Sequence, residues 1–230
     1  MRLAINLALA GPLFALTWAQ TTYYTVLFAA DSVGPQYGIT NFESTMVVPP
    51  TSAGAGFHSA WPGLEPSTED FVYQNVLMDS GQQWYFFAEY CCEPRLDYPP
   101  QPVYPGDTIR SIFSLDTSSG EWANAWSSVP GQAGIEAGEA IGSIVNTNSF
   151  PDEGILSQAI FAIELQEGAV WDFGAVAWSD ITIVANTTST AWCSSPGVFG
   201  GFKYSMSTPV ATVAGGSTTC YIESLIFEAP

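Results

Sequence analysis

The amino-acid sequence predicts an all-β chain folded as one antiparallel β-sandwich, and three observations carry that prediction. No stretch sustains the helical repeat of about 3.6 residues that an amphipathic helix shows. Runs rich in β-branched and aromatic residues recur instead between clusters of Gly, Pro, Ser and Asn, where turns form. The chain also has no internal repeat and no linker-like tract, so its 230 residues suit a single sandwich of two large sheets. The expected type is a jelly roll.

The elements follow in order. Residues 1–19 carry Arg2, an apolar run from Leu3 to Leu16, and small residues at Thr17 and Ala19. This is the pattern of a secretory signal cleaved after Ala19, interrupted by Asn6, Gly11 and Pro12 where a membrane anchor would be continuous. The sandwich domain is then residues 20–230, secreted and extracellular. Its strands are expected in TTYYTVLFAA, FVYQNVLM, QWYFFAEYCC, DTIRSIFSLD, EWANAWSS, QAIFAIELQ, AVWDFGAVAW and DITIVAN. Strand parity assigns faces within them: Val72, Gln74, Val76 and Met78 share one face, and Glu89 sides with Tyr85 and Phe87. Phe161, Ile163 and Leu165 make a core face, which leaves Ile160, Ala162, Glu164 and Gln166 opposite.

Charge excludes several functions. Four Lys and Arg stand against 22 Asp and Glu, a net charge of −18, so the surface repels phosphate backbones and anionic membranes. Neither nucleic acid nor a membrane is an expected partner. One histidine, His58, cannot build a multi-histidine metal site, and no calcium loop is present, so no metal or cofactor is expected. A Ser-His-Asp site would have to use His58, but no nucleophile-elbow motif accompanies it and GAGFHSAW reads as a turn.

In a secreted chain the cysteines pair. The favoured bond is Cys193 with Cys220, leaving Cys91 and Cys92 as a vicinal pair or with separate partners. Asn186-Thr187-Thr188 is a glycosylation acceptor. Groove-facing acids Glu89 and Glu164 are the best pair for a glycoside hydrolase, and exposed tryptophans, Trp61 and Trp84 first, would serve a glycan-binding, lectin-like module. In a sandwich, however, aromatics are also ordinary core filler.

Four segments, in order, bring a family into view. They are WPGLEPSTEDFVYQN from Trp61, WYFFAEYCCEP around Glu89, PVYPGDTIRSIFSLD, and VWDFGAVAWSDITI from Val170. Together they resemble the secreted glutamic peptidases, the eqolisins, acid endopeptidases known chiefly from filamentous fungi. The resemblance implies a concanavalin A-like sandwich, a polypeptide substrate or ligand, and a monomer that needs no cofactor. It implies that Gln74 is the catalytic glutamine and that Trp61, Glu65, Glu89 and Ile160 line the substrate groove. The family's catalytic strand reads Ala-Glu-Trp-Ile-x-Glu; here it reads Ala159-Ile160-Phe161-Ala162-Ile163-Glu164, which puts Ile160 at the catalytic position. Glu164 shares the face of Ile160 but lies about 13 Å further along the strand. The expectation is therefore either an acid endopeptidase using Gln74 with Glu164 as a rearranged base, or a peptide-binding relative that has lost catalysis.

Overall fold

The computed structural model describes residues 21–92 and 95–230, so the signal segment lies outside the described residues. Two antiparallel sheets face one another. The first runs, edge to edge, β13 (Gly197–Phe199), β1 (Thr22–Ala29), β11 (Leu156–Gln166), β3 (Phe57–Pro66), β4 (Val72–Asp79), β5 (Trp84–Cys91) and β6 (Leu96–Asp97), with β7 (Gln101–Val103) also paired to β5. The second runs β10 (Gly142–Asn148), β9 (Glu121–Val129), β8 (Thr108–Asp116), β2 (Ile39–Val47), β12 (Val176–Ala185), β16 (Ser217–Glu228) and β14 (Lys203–Met206), with β15 (Val210–Ala214) beside β16. The sandwich expected from the sequence is thus the fold. Among the described residues no helix is long and apolar enough to cross a membrane.

The inner faces interlock through aromatic rings. Phe161 on the first sheet meets Phe42 and Trp178 of the second with ring centres 5.3 and 5.2 Å apart, and Phe86 meets Trp126 at 5.0 Å. All three contacts are edge-to-face, the arrangement favoured by the ring quadrupole. Trp84 is 0% exposed in this core, so it is no sugar-stacking residue. Its place follows from parity: Trp84, Phe86 and Ala88 share the inward face of β5, opposite Glu89.

Three local features depart from the expected elements. The runs AVWDFGAVAW and DITIVAN join into the single strand β12, whose pairing with β2 slips between Ser179 and Thr182 at a bulge where Asp180 has φ 50°. The bulge restores the alternation, since Trp178 and Ile181 both point inward. His58 is not in a turn but near the start of β3, facing inward. Two short helices, α1 (Gln132–Ala137) and α2 (Ala191–Ser194), interrupt an otherwise strand-built chain.

Cys193 of α2 is bonded to Cys220 of β16 with Cα atoms 5.6 Å apart, and Cys91 is bonded to Cys92. The first bond closes a loop of 27 residues, worth about 3.6 kcal/mol in a chain-entropy account. Asn186 is exposed just after β12, and its Oδ1 accepts a hydrogen bond from the Gly38 N–H at 2.7 Å, which leaves the amide nitrogen as the group a glycan would use.

Candidate functional site: a groove on the outer face of one sheet

The outer face of the first sheet is concave and holds a cavity of about 1110 Å³. Strand register turns its floor into rows. The first row crosses the sheet as Leu27, Ile160, Gly63, Gln74, Glu89 and Asp97, each paired to the next. The second contains Thr25, Ala162 and Trp61 on one side and Val76 and Phe87 on the other. The third is Tyr23, Glu164, Ser59, Met78 and Tyr85. The faces assigned by parity to Gln74, Glu89, Ile160 and Glu164 are the groove face.

Gly63 keeps the first row open. A Cβ there would lie 3.0 Å from the Gln74 Cβ and 3.1 Å from the Tyr73 carbonyl oxygen, so any side chain would press on Gln74. Ile160 and Gln74 therefore stand on opposite sides of a gap two strand spacings wide, about 10 Å between backbones. Pro62 beside it removes a backbone donor, and the β3–β4 ladder lacks the Trp61 and Pro62 rungs. Pro and Gly in the middle of WPGLEP explain why this stretch does not read as a strand in the sequence.

Gln74 is 6% exposed, and its Nε2 donates to Glu89 Oε2 at 3.4 Å while its Oε1 has no partner. The other oxygen of Glu89 faces Arg95 Nη2 at 3.3 Å, and Arg95 also grips Asp97 through two hydrogen bonds of 3.0 and 3.2 Å. Burial, followed by the Asp97 charge, pushes the Glu89 carboxyl up to about 7 against the pull of Arg95; the Glu164 charge adds to the rise. Glu65, also on the groove wall, is pushed up to about 7 by burial and then by Glu69. Carboxyls shifted by desolvation inside a cleft are a common mark of a functional site.

Glu164 is placed differently. Tyr23 donates its hydroxyl to Oε1 at 3.1 Å, Gln166 donates Nε2 to the same oxygen at 2.6 Å, and Trp61 donates Nε1 to Oε2 at 3.3 Å. Burial and then the Glu164 charge push the Tyr23 phenol well above its ordinary value, which keeps it a hydrogen-bond donor. The structure thus joins Gln74 to Glu89, not to Glu164. Trp61, Glu65, Glu89 and Ile160 all line the groove.

The sequence reading passed over Tyr23, Arg95 and Asp97. Arg95 carries the one signal that could have been used, since a cation is rare in a chain with four Lys and Arg and 22 acids. Tyr23 and Asp97 have no such mark.

His58 sits in a buried polar cluster outside the groove. Its Nε2 is 3.1 Å from Ser52 Oγ and from the Val170 carbonyl oxygen, and its Nδ1 is 3.7 Å from Asp79 Oδ2. This resembles a nucleophile-base-acid line only in composition. Ser52 is 1% exposed, accepts from the Gly54 N–H at 3.0 Å and does not line the groove, so the cluster ties three segments together.

A two-sheet sandwich with an acid-lined groove across one outer face is the class of protein that fold and site define. No family model matches the chain, and no curated protein matches it in sequence. Solved structures do. Scytalido-glutamic peptidase with a peptide-based transition state analog shares 14% identity at a TM-score of 0.58, over 89% of this chain and 99% of that one. The same peptidase with a transition state analog inhibitor gives 15% and 0.58 over the same shares. SCP-B, a member of the eqolisin family, in a complex with the tripeptide Ala-Ile-His, gives 15% and 0.52, again over 89% and 99%. At these identities the likeness is one of fold.

Proposed function

We propose that the protein is a secreted peptide-binding relative of the glutamic peptidases whose groove holds an extended polypeptide without hydrolysing it efficiently. The observation that carries this reading is Ile160, 7% exposed and directly across Gly63 from Gln74. A peptide carbonyl placed over Gly63 would meet the Gln74 amide on one side, a hydrogen-bond donor suited to the oxyanion of a tetrahedral intermediate. On the other side it would meet a hydrocarbon. General acid-base catalysis, worth about 100- to 10,000-fold, needs a carboxylate there to activate water and return the proton to the leaving amine.

Glu89 and Glu164 do not take that place, and Glu65 stands two residues along β3 from Gly63, on the groove wall and not across from Gln74. Glu89 is beyond Gln74, on the far side from the gap, and Glu164 stands two rows away with both oxygens engaged. The solved structures of similar fold that hold peptide ligands support the groove as a polypeptide site. Secretion rests on the signal pattern of residues 1–19, the acceptor at Asn186 and the paired cysteines.

The test is incubation with an unstructured polypeptide at about pH 4, following Trp61 fluorescence for binding and product masses for cleavage. Binding without new products is the expected result, weakened by Gln74→Ala. Rapid cleavage that survives Gln74→Ala would overturn the reading.

A further inference from the structure

We propose that the outer face of the second sheet pairs two copies of this chain back to back, leaving the groove of each copy open and facing away from the contact. The inference does not depend on what the groove binds. Where the resemblance to the peptidases implies a monomer, this face implies a pair.

Strand register lays the face out in rows, as it does the groove. One row crosses seven strands, from Val145 on β10 through Ile112 and Glu43 at its middle to Tyr221 on β16 and Val210 on β15. The next row, from Thr147 on β10 to Thr212 on β15, holds no charged residue. On the other side, the row of Thr45 contains Arg110, and the row of Val47 contains Val129 and no charge. Val47, Val129, Val145 and Val210 are all exposed.

Charge sets this face apart from the rest of the molecule. Among the described residues six acids line the groove, whereas the four rows carry one ion pair, Arg110 Nη2 to Glu43 Oε2 at 2.6 Å. Asp180 and Glu223 lie beside Tyr221, toward one side. A lone soluble domain rarely leaves so broad an uncharged and partly aliphatic surface open. Seven strands by four rows measure about 30 by 20 Å, which with side-chain relief is the extent of a specific interface burying roughly 800 Å² per partner.

The occupant follows from the same charges. An acidic partner is repelled by the net charge of −18, and a basic one is drawn to the acids of the groove. A second copy fits, because the face is nearly neutral and carries both signs close to its centre, as a self-complementary contact requires. Arg110 uses one donor on Glu43 and is half exposed, so further donors remain for the second copy's Glu43.

Two sheets meeting face to face have their two-fold axis in the plane of contact. An axis across the strands would stack Asp180 and Glu223 on their own counterparts. An axis along the strands, between β8 and β2, sets them over the β9–β10 side instead, where Ala125, Ser127 and Val145 are uncharged. Val145 then faces the second copy's Tyr221, since β10 and β16 are each third from that axis.

Sedimentation equilibrium of the mature protein in 0.15 M salt tests this, because a Debye length of about 8 Å screens the general repulsion between acidic copies. The average mass should rise from one chain to two between about 1 and 200 µM. Val145→Glu, which adds an acid against Asp180 and Glu223 of the second copy, should weaken the dimer at least about 10-fold. Val145→Lys should tighten it about 3-fold. Val145 is 66% exposed, so neither change disturbs the core, and melting curves verify that both variants fold. Val170→Lys makes the same charge change in the exposed loop before β12 and should alter the affinity less than about 2-fold. A single-chain mass at every concentration would overturn the proposal. So would a dimer that Val145→Glu leaves intact, or one that Val145→Glu and Val145→Lys shift in the same direction.

Discussion

The two flanks of the groove, separated by Gly63, hold similar residue types and use them in opposite ways. On the β4–β5 side, Glu89 is surrounded by one cation, one amide and a second acid, and burial keeps its proton on until near neutrality. On the β11–β1 side, Glu164 receives hydrogen bonds from Tyr23, Trp61 and Gln166 and fixes their orientations. A carboxylate with several donors is part of the wall. One with few donors, buried beside an acid, is a group whose state can change.

The gap between the flanks is the most sensitive point. Gly63→Leu should cost about 2–3 kcal/mol, because its first carbon already meets Gln74 and the Tyr73 carbonyl at the limit of contact. Denaturant melts check this, and peptide affinity should fall with it. A fully stable Leu variant would show that the floor is looser than the register implies.

The same isosteric change then separates the flanks. Glu164→Gln should destabilise by about 1–2 kcal/mol, since it places an amide against three donors that need an acceptor. Glu89→Gln at pH 8 should be neutral or stabilising by up to about 1 kcal/mol, the gain limited by loss of the ion pair with the exposed Arg95. Equal losses at both positions would erase the distinction between the two flanks.

The smallest expected effect is the pH profile of the melting temperature. Glu65 and Glu89 titrate near 7 in the folded state against an ordinary value of 4.5, so the folded protein holds the extra protons between those values. Stability conferred below about 4.5 is therefore lost as the pH rises through about 7. Hydrogen bonds from Ser118 to Asp116 and from Ser52 to Asp172 hold those carboxyls below their ordinary range, so they add stability that is lost on strong acidification. Melting should be highest near pH 5 and lower at pH 8, with the fall reduced in Glu89→Gln. A melting temperature rising steadily from pH 5 to pH 8 would contradict this.

Strand faces were legible in the sequence because alternation is a strictly local property. Gln74, Glu89, Ile160 and Glu164 could be placed on the groove side, and Trp84 could have been placed in the core, from parity alone. Elements whose strand character depends on neighbours were not legible. β3 contains Pro62 and Gly63 and is a central strand only because β11 and β4 pair on either side of it. The partners of Glu89 were hidden for the same reason: Asp97 and Arg95 reach it through the short β5–β6 pairing, which no period in the sequence marks.

If Gln74 is an oxyanion donor in a groove without a base, as proposed, Ile160→Glu is the most direct test. Cleavage of an unfolded protein at about pH 3–4, with melting measured in parallel, should be weak or absent in the unaltered chain. It should rise on the order of 100-fold in Ile160→Glu, and be lost again when Gln74→Ala is added. Strong cleavage by the unaltered chain, unaffected by Gln74→Ala and abolished by Glu164→Gln or Glu89→Gln, would contradict the account.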